Sequence, residues 1–132
     1  MSVVDLAYLI DDDDIYVFGM KRMIKANQLC DELLTFTNGA DAIDFINERI
    51  ASKSSLPKVI LIDINMPVMD GWGFIDEFAK IPAEFTDGVT VYMISSSVQE
   101  EDRMKAESIN LIKSYHVKPI DKEELISMFQ VA

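Results

Sequence analysis

A single cysteine, Cys30, in 132 residues rules out an internal disulfide and any Cys-rich metal site. That usage fits a reducing compartment, and the thiol itself reads as a small, half-buried side chain. Four prolines and five glycines are too few and too scattered to form a linker or a low-complexity tract, so nothing divides residues 1–132 into two domains. No apolar run approaches the length of a membrane span, and Met-Ser-Val-Val-Asp at the start lacks the basic and long apolar regions of a signal peptide. The expected location is the cytoplasm. Basic residues are scarce as well: 12 against 23 acidic ones give a net charge of −11. Such a surface repels a phosphate backbone, so no direct nucleic-acid binding and no membrane association are expected.

What is present suits one globular core. The hydrophobic fraction is 49% and the charged fraction 27%, and a chain of this size buries about two-thirds of its unfolded surface. Short apolar runs recur at VDLAYLI (4–10), LLTFT (33–37), KVILID (58–63), VTVYMIS (89–95) and SYHV (114–117). Amphipathic segments lie between them: Ile43, Ile46 and Ile50 recur at helical spacing, as do Ile75, Phe78 and Ala79. The segment 14–28 is expected to be helical despite the strand-favouring IYVF and a Gly19 that costs a helix about 1 kcal/mol relative to Ala. It must cross between two buried parallel strands, and such a crossing needs a helix. The 98–109 segment carries the weakest apolar stripe. Asp121, with Glu124 three residues on, resembles a capping box at the start of the last helix.

Five strand-then-helix units with Val/Ile-rich strands imply an open parallel sheet covered by helices on both faces. Ligands of such sheets sit beyond the carboxyl ends of the strands. The residues at those ends are Asp11 to Asp14, Asn38, Asp63, Ser95 to Ser97 and Lys118. Four consecutive aspartates by themselves could be no more than the first turn of a helix, where carboxylates meet free N–H groups. Asp63, at the end of a strand expected to be central, changes that balance. Several carboxylates converging at one sheet edge call for a cation, and an oxygen-only donor set without a His/Cys cluster suits Mg²⁺. Lys118 would add a fixed positive charge and Ser95 a hydroxyl, which together suggest phosphoryl chemistry.

LIDDDDI (9–15), DINMPVMDG (63–71), ISS (94–96) and VKPI (117–120), in this order and at these separations, resemble the receiver domain of two-component response regulators over essentially the whole chain. The resemblance implies a flavodoxin-like (βα)5 fold, α/β and doubly wound, with strand order 2-1-3-4-5. It implies that Asp63 is the phosphoacceptor, served by a sensor histidine kinase, a histidine phosphotransfer protein or a small phosphodonor. Asp11 and Asp12 match the family's acidic pair, with Asp12 the more direct ligand of Mg²⁺, or alternatively Mn²⁺, and Asn65 would offer its backbone carbonyl. Ser95 matches the hydroxyl that meets the phosphoryl group, Lys118 the family's lysine, and Tyr115 the switch aromatic. The bond before Pro119 is expected to be cis. Asn65 and Ser97 fall where the family adjusts the lifetime of the phosphate.

Other residues keep plainer readings. Asp70 is expected to cap the helix after the DINMPVMDG loop, and Asp13 or Asp14 the first helix. His116, the only histidine, is expected to be an outward or satisfied strand residue and is given no role. Trp72, Met20, Met23 and Met93 are read as packing. A dehalogenase-like phosphohydrolase would want an aspartate where Asn65 stands, and a flavodoxin-type module a Ser/Thr/Gly-rich phosphate loop where the aspartates stand. No GxxxxGK[ST] or GxGxxG occurs. The chain is therefore expected to be a signalling switch rather than an enzyme, acting through another protein if it stands alone.

Overall fold

A computed structural model describes residues 3–130. Five strands, β1 (Val4–Ile10), β2 (Cys30–Phe36), β3 (Val59–Asp63), β4 (Thr90–Ser95) and β5 (Ile112–Val117), form one sheet in the order β2-β1-β3-β4-β5. All neighbouring pairs are parallel. The helices are α1 (Asp14–Ala26), α2 (Gly39–Ala51), α3 (Gly71–Ala79), α4 (Ala83–Thr86), α5 (Glu100–Glu107) and α6 (Lys122–Phe129). This is the flavodoxin-like doubly wound arrangement.

The uninterrupted apolar strands have a simple cause: both faces of the sheet are covered, so alternate residues enter two separate cores. Tyr8, Ile10, Ile60, Ile62 and Met93 pack on one face with Ile46 of α2, Phe74 and Phe78 of α3 and Ala106 of α5. Ala7, Leu9, Leu61, Tyr92 and Ile94 pack on the other with Met20 and Ile24 of α1 and Leu125 and Phe129 of α6. β3 is central and all five of its residues are buried.

Tertiary packing overrides local propensity in α1, whose IYVF segment is helical as the crossover requires. The helix stops at Ala26, two residues before the expected end, because Gln28 takes a left-handed φ of 51°. The short α4 has no counterpart in the sequence expectations; it is a single turn after Pro82 with no buried residue and so carries no apolar stripe to read. Ala79, expected on the buried side of α3, is exposed at its end. α5 buries only Ala106, in keeping with its weak stripe. Among the described residues no helix is long and apolar enough to cross a membrane.

Candidate functional site

Parallel pairing places every strand's carboxyl end at one edge. Ile10 lies opposite Ile62 in the register of β1 and β3, so Asp11 and Asp63 leave adjacent strands at the same level. The carboxylates of Asp11, Asp12 and Asp63 can each place an oxygen within 4.8 Å of the others. Asp11 is buried, and its Oδ1 accepts the Asp13 N–H at 3.0 Å. Asp12 is exposed toward the solvent side. Asp13 is the helix cap, its Oδ1 accepting the N–H groups of Ile15 and Tyr16 at 3.1 Å, while Asp14 lies in the first turn. The aspartate string is thus divided between a cluster and a cap.

Lys118, carried in by β5 and followed by a cis bond to Pro119, brings its Nζ to 2.7 Å from Asp11 Oδ2 and 3.6 Å from Asp63 Oδ2. The first contact is ionic and lies outside directed hydrogen-bond geometry. Asp63 is 6% exposed, and its Oδ1 accepts the Ile64 N–H at 2.9 Å. Burial, followed by the charge of Asp11, pushes the Asp63 carboxyl up to about 6, against the opposing pull of Lys118 and the Ile64 amide. One partner had no signal in the sequence: the Lys118 ammonium lies 4.2 Å from the centroid of the Tyr16 ring. Burial and then the charges of Asp11 and Asp63 raise the Tyr16 phenol, so it remains neutral beneath the lysine.

The loop from Asp63 to α3 follows directly from this edge. Asn65 is exposed, Asp70 caps α3 by accepting the Gly73 N–H at 2.8 Å, and the Gly71 N–H bonds the Ile64 carbonyl at 2.8 Å. A Cβ on Gly71 would meet the Asp63 carbonyl oxygen at 2.4 Å, so only glycine lets α3 begin this close to the acceptor strand. Val68, exposed in the same loop, takes a φ of 71°, a strained conformation for a β-branched residue.

At the next strand end Ser95 is fully buried and its Oγ accepts the Ser97 N–H at 3.1 Å. Ser97 has three further bonds: its Oγ donates to Asp102 at 2.6 Å and accepts the Gln99 N–H at 3.3 Å, and its carbonyl accepts the Tyr115 hydroxyl at 2.7 Å. The structure therefore joins Ser95 to Tyr115 through Ser97, with the tyrosine hydroxyl already turned to the β4–α5 loop. Trp72 and the three methionines pack as read, although the Lys105 ammonium also sits 4.4 Å from the Trp72 ring centroid. Cys30 is half-buried, and burial raises its thiol to about 11, which leaves it unreactive.

His116 is satisfied at both ring nitrogens, by Ser114 and Glu124. This corrects one expectation: Asp121 caps α6 by accepting the Glu124 N–H at 2.8 Å, but the Glu124 side chain turns to His116 instead of completing a capping box.

A flavodoxin-like sheet carrying a carboxylate cluster and a strand-end lysine at its switch edge defines a class of α/β signalling domain. The sequence matches the response regulator receiver domain over residues 7–130, and the chain belongs to that family. It is 30% identical to the chemotaxis protein CheY of Treponema pallidum over 118 residues, 89% of this chain and 76% of that one. A two-component response regulator from Cytophaga hutchinsonii has a crystal structure that superposes with a TM-score of 0.87 at 34% identity, covering 97% of this chain and 96% of that one. The Mn(2+)-bound form of response regulator Rcp1 shares the fold at a TM-score of 0.76 and 22% identity, over 96% and 90% of the two chains. Other relatives are far longer; the chain spans 11% of the sensor histidine kinase CheAY of Helicobacter pylori.

Proposed function

We propose that Asp63 accepts a phosphoryl group from a phosphohistidine on a sensor histidine kinase or histidine phosphotransfer protein in a Mg²⁺-dependent reaction, and that the aspartyl phosphate alters a protein-binding face. The observation that carries this reading is the convergence of Asp11, Asp12 and Lys118 on a buried Asp63. Residues 1–132 are read as a single receiver domain of the cytoplasm.

The donor set fits a hard divalent cation: three carboxylates face one ammonium, and Asp11 Oδ2 is buried without a directed hydrogen bond. Asp11, Asp12 and Asp63, with the Asn65 carbonyl, would hold Mg²⁺, or Mn²⁺, the ion bound by Rcp1 in its crystal structure. When bound, the cation offsets repulsion between the carboxylates and the incoming phosphoryl anion. An Asp63 oxygen attacks phosphorus, the P–N bond to the donor imidazole breaks, and the ring nitrogen keeps the electron pair. Lys118, 3.6 Å from Asp63 Oδ2, and the Ser95 hydroxyl stabilise the transferred oxygens. At this site the chain thus catalyses only its own phosphoryl transfer and its loss. The Ser95–Ser97–Tyr115 connection supports an output face built from residues 98–109, 114–117 and 121–130, offered to a downstream protein.

Incubation with acetyl phosphate and Mg²⁺, followed by intact mass, tests the proposal. The native chain should gain one phosphoryl mass, and neither Asp63→Asn nor the native chain without Mg²⁺ should gain any. A native chain that gains nothing, and whose spectrum beryllofluoride also leaves unchanged, rejects the assignment.

A further inference from the structure

We propose that Ser114, His116 and Glu124 form a second, nucleophilic site, at which the Ser114 hydroxyl accepts an acyl group from an activated ester. Ser114 and His116 lie two apart on β5, so they share a face of the outermost strand, and Glu124 reaches them from α6. Ser114 Oγ lies 2.7 Å from His116 Nε2, and His116 Nδ1 lies 2.5 Å from Glu124 Oε2. This is a nucleophile bonded to a base that is in turn oriented by a carboxylate.

For a neutral ring beside an ionised carboxylate, the hydrogen-bond chemistry gives the direction of the chain. An ionised carboxylate only accepts, so Nδ1 carries the proton and donates it to Glu124. In the neutral ring Nε2 is then the acceptor, and the Ser114 hydroxyl must be its donor. The tautomer is the one a serine nucleophile requires.

A cavity of about 230 Å³ opens at these residues and is also lined by Tyr92, Lys113, Ser127 and Met128. Tyr92 lies opposite Ser114 in the register of β4 and β5 and is 3% exposed, and its hydroxyl is buried without a hydrogen-bond partner. Burial raises the phenol, which therefore stays protonated and keeps its unused O–H in the wall of the cavity. The Tyr92 ring, Met128 and the acidic Glu124 favour an uncharged ester over a phosphate anion.

In the reaction Ser114 Oγ attacks the ester carbonyl carbon while its proton passes to His116 Nε2, and Glu124 holds the imidazolium. The C–O bond to the leaving group then breaks, and that group departs with the electron pair and takes the proton from Nε2. The products are acyl-Ser114 and a free phenol or alcohol, with no redox partner needed.

The test is p-nitrophenyl acetate with the native chain, followed by peptide mass mapping. Nitrophenolate release should be accompanied by one acetyl group on Ser114, at a rate at least tenfold above that of Ser114→Ala or His116→Gln. Glu124→Gln should lower the maximal acylation rate without moving the half-saturating ester concentration, since Glu124 is a positioning residue that acts through His116. Circular dichroism checks that each variant is folded, and the acetyl position in the native chain reads out the proposal without any variant. An acetyl group found on Lys113 instead of Ser114, no acylation at all, or an unchanged rate in folded Ser114→Ala would overturn it.

Discussion

Lys118 Nζ is nearer to Asp11, at 2.7 Å, than to Asp63, at 3.6 Å. In this arrangement the lysine balances a fully buried acid while remaining within one small movement of the acceptor. The pairing gives the lysine a structural task as well as the proposed chemical one.

Replacing Lys118 by Met should therefore cost stability as well as phosphoryl uptake. The change leaves Asp11 buried with no cation beside it, and removing one partner of a buried pair typically costs about 3–5 kcal/mol. Partial exposure of the lysine brings the expectation to roughly 2–3 kcal/mol in metal-free buffer. Mg²⁺ should recover part of this loss by supplying the missing charge. Chemical denaturation with EDTA and with Mg²⁺ checks it; a loss of the same size in both buffers would contradict the shared-charge account.

Asp63→Asn should stabilise the metal-free protein at neutral pH. The acid is pushed up to about 6 from an ordinary 3.8, so the folded state holds a proton that the unfolded state has released between these values. Stability from this group is therefore highest below about pH 4 and falls as pH rises through about 6. A shift of roughly two units corresponds to a penalty of at most about 3 kcal/mol, felt in full above the folded value. The advantage of Asp63→Asn should be near zero at pH 4 and full at pH 8, as denaturation midpoints across that range would reveal. An advantage independent of pH would assign the effect to packing.

Gly71→Ala should damage the acceptor loop rather than the helix that follows. Alanine favours a helix by about 1 kcal/mol over glycine, yet its Cβ would lie 2.4 Å from the Asp63 carbonyl oxygen and 2.9 Å from Ile64 Cα. Both are backbone atoms, so the strand end itself must shift. A net destabilisation of roughly 1–3 kcal/mol is expected, by the usual cost of overpacking, together with slower phosphoryl uptake. Gly19→Ala is the control: nothing lies within 4 Å of its added Cβ, and it should stabilise by about 0.5–1 kcal/mol.

These contrasts also mark what could be read from sequence. The sheet was legible because burial on both faces leaves the strands almost purely apolar, and Asp11, Asp12, Asp63 and Lys118 were legible because parallel strands deliver their ends to one edge. Asp70 announced itself as a cap by position, while the cap of the first helix was legible only as Asp13 or Asp14 and the structure gives it to Asp13. What stayed hidden depended on side chains meeting across elements that no local pattern links. The Tyr16 ring beneath Lys118, the turn of Glu124 away from its own helix cap, and the bonds that tie Ser97 to Ser95, Asp102 and Tyr115 are of this kind. α4 stayed hidden for a different reason, since a one-turn helix without a buried face has no period.

Ser97 supplies the last prediction, because it bonds to both ends of the proposed switch. Its N–H meets the Ser95 hydroxyl and its carbonyl meets Tyr115, so a change in one bond must reposition the peptide that makes the other. Ser95→Ala and Tyr115→Phe should each cost about 1 kcal/mol, the usual value for one hydrogen bond. If the loop transmits force, their combination should deviate from additivity by roughly 0.5–1 kcal/mol, the range seen for residues in one network. The coupling should vanish in a Ser97→Gly background, where the backbone bonds remain available but the Ser97 Oγ–Asp102 tether that fixes the loop is gone. Unfolding free energies of the four variants in each background measure it. Strict additivity with Ser97 intact would mean that Ser95 and Tyr115 share a loop without communicating, and the output face would need another route from Asp63.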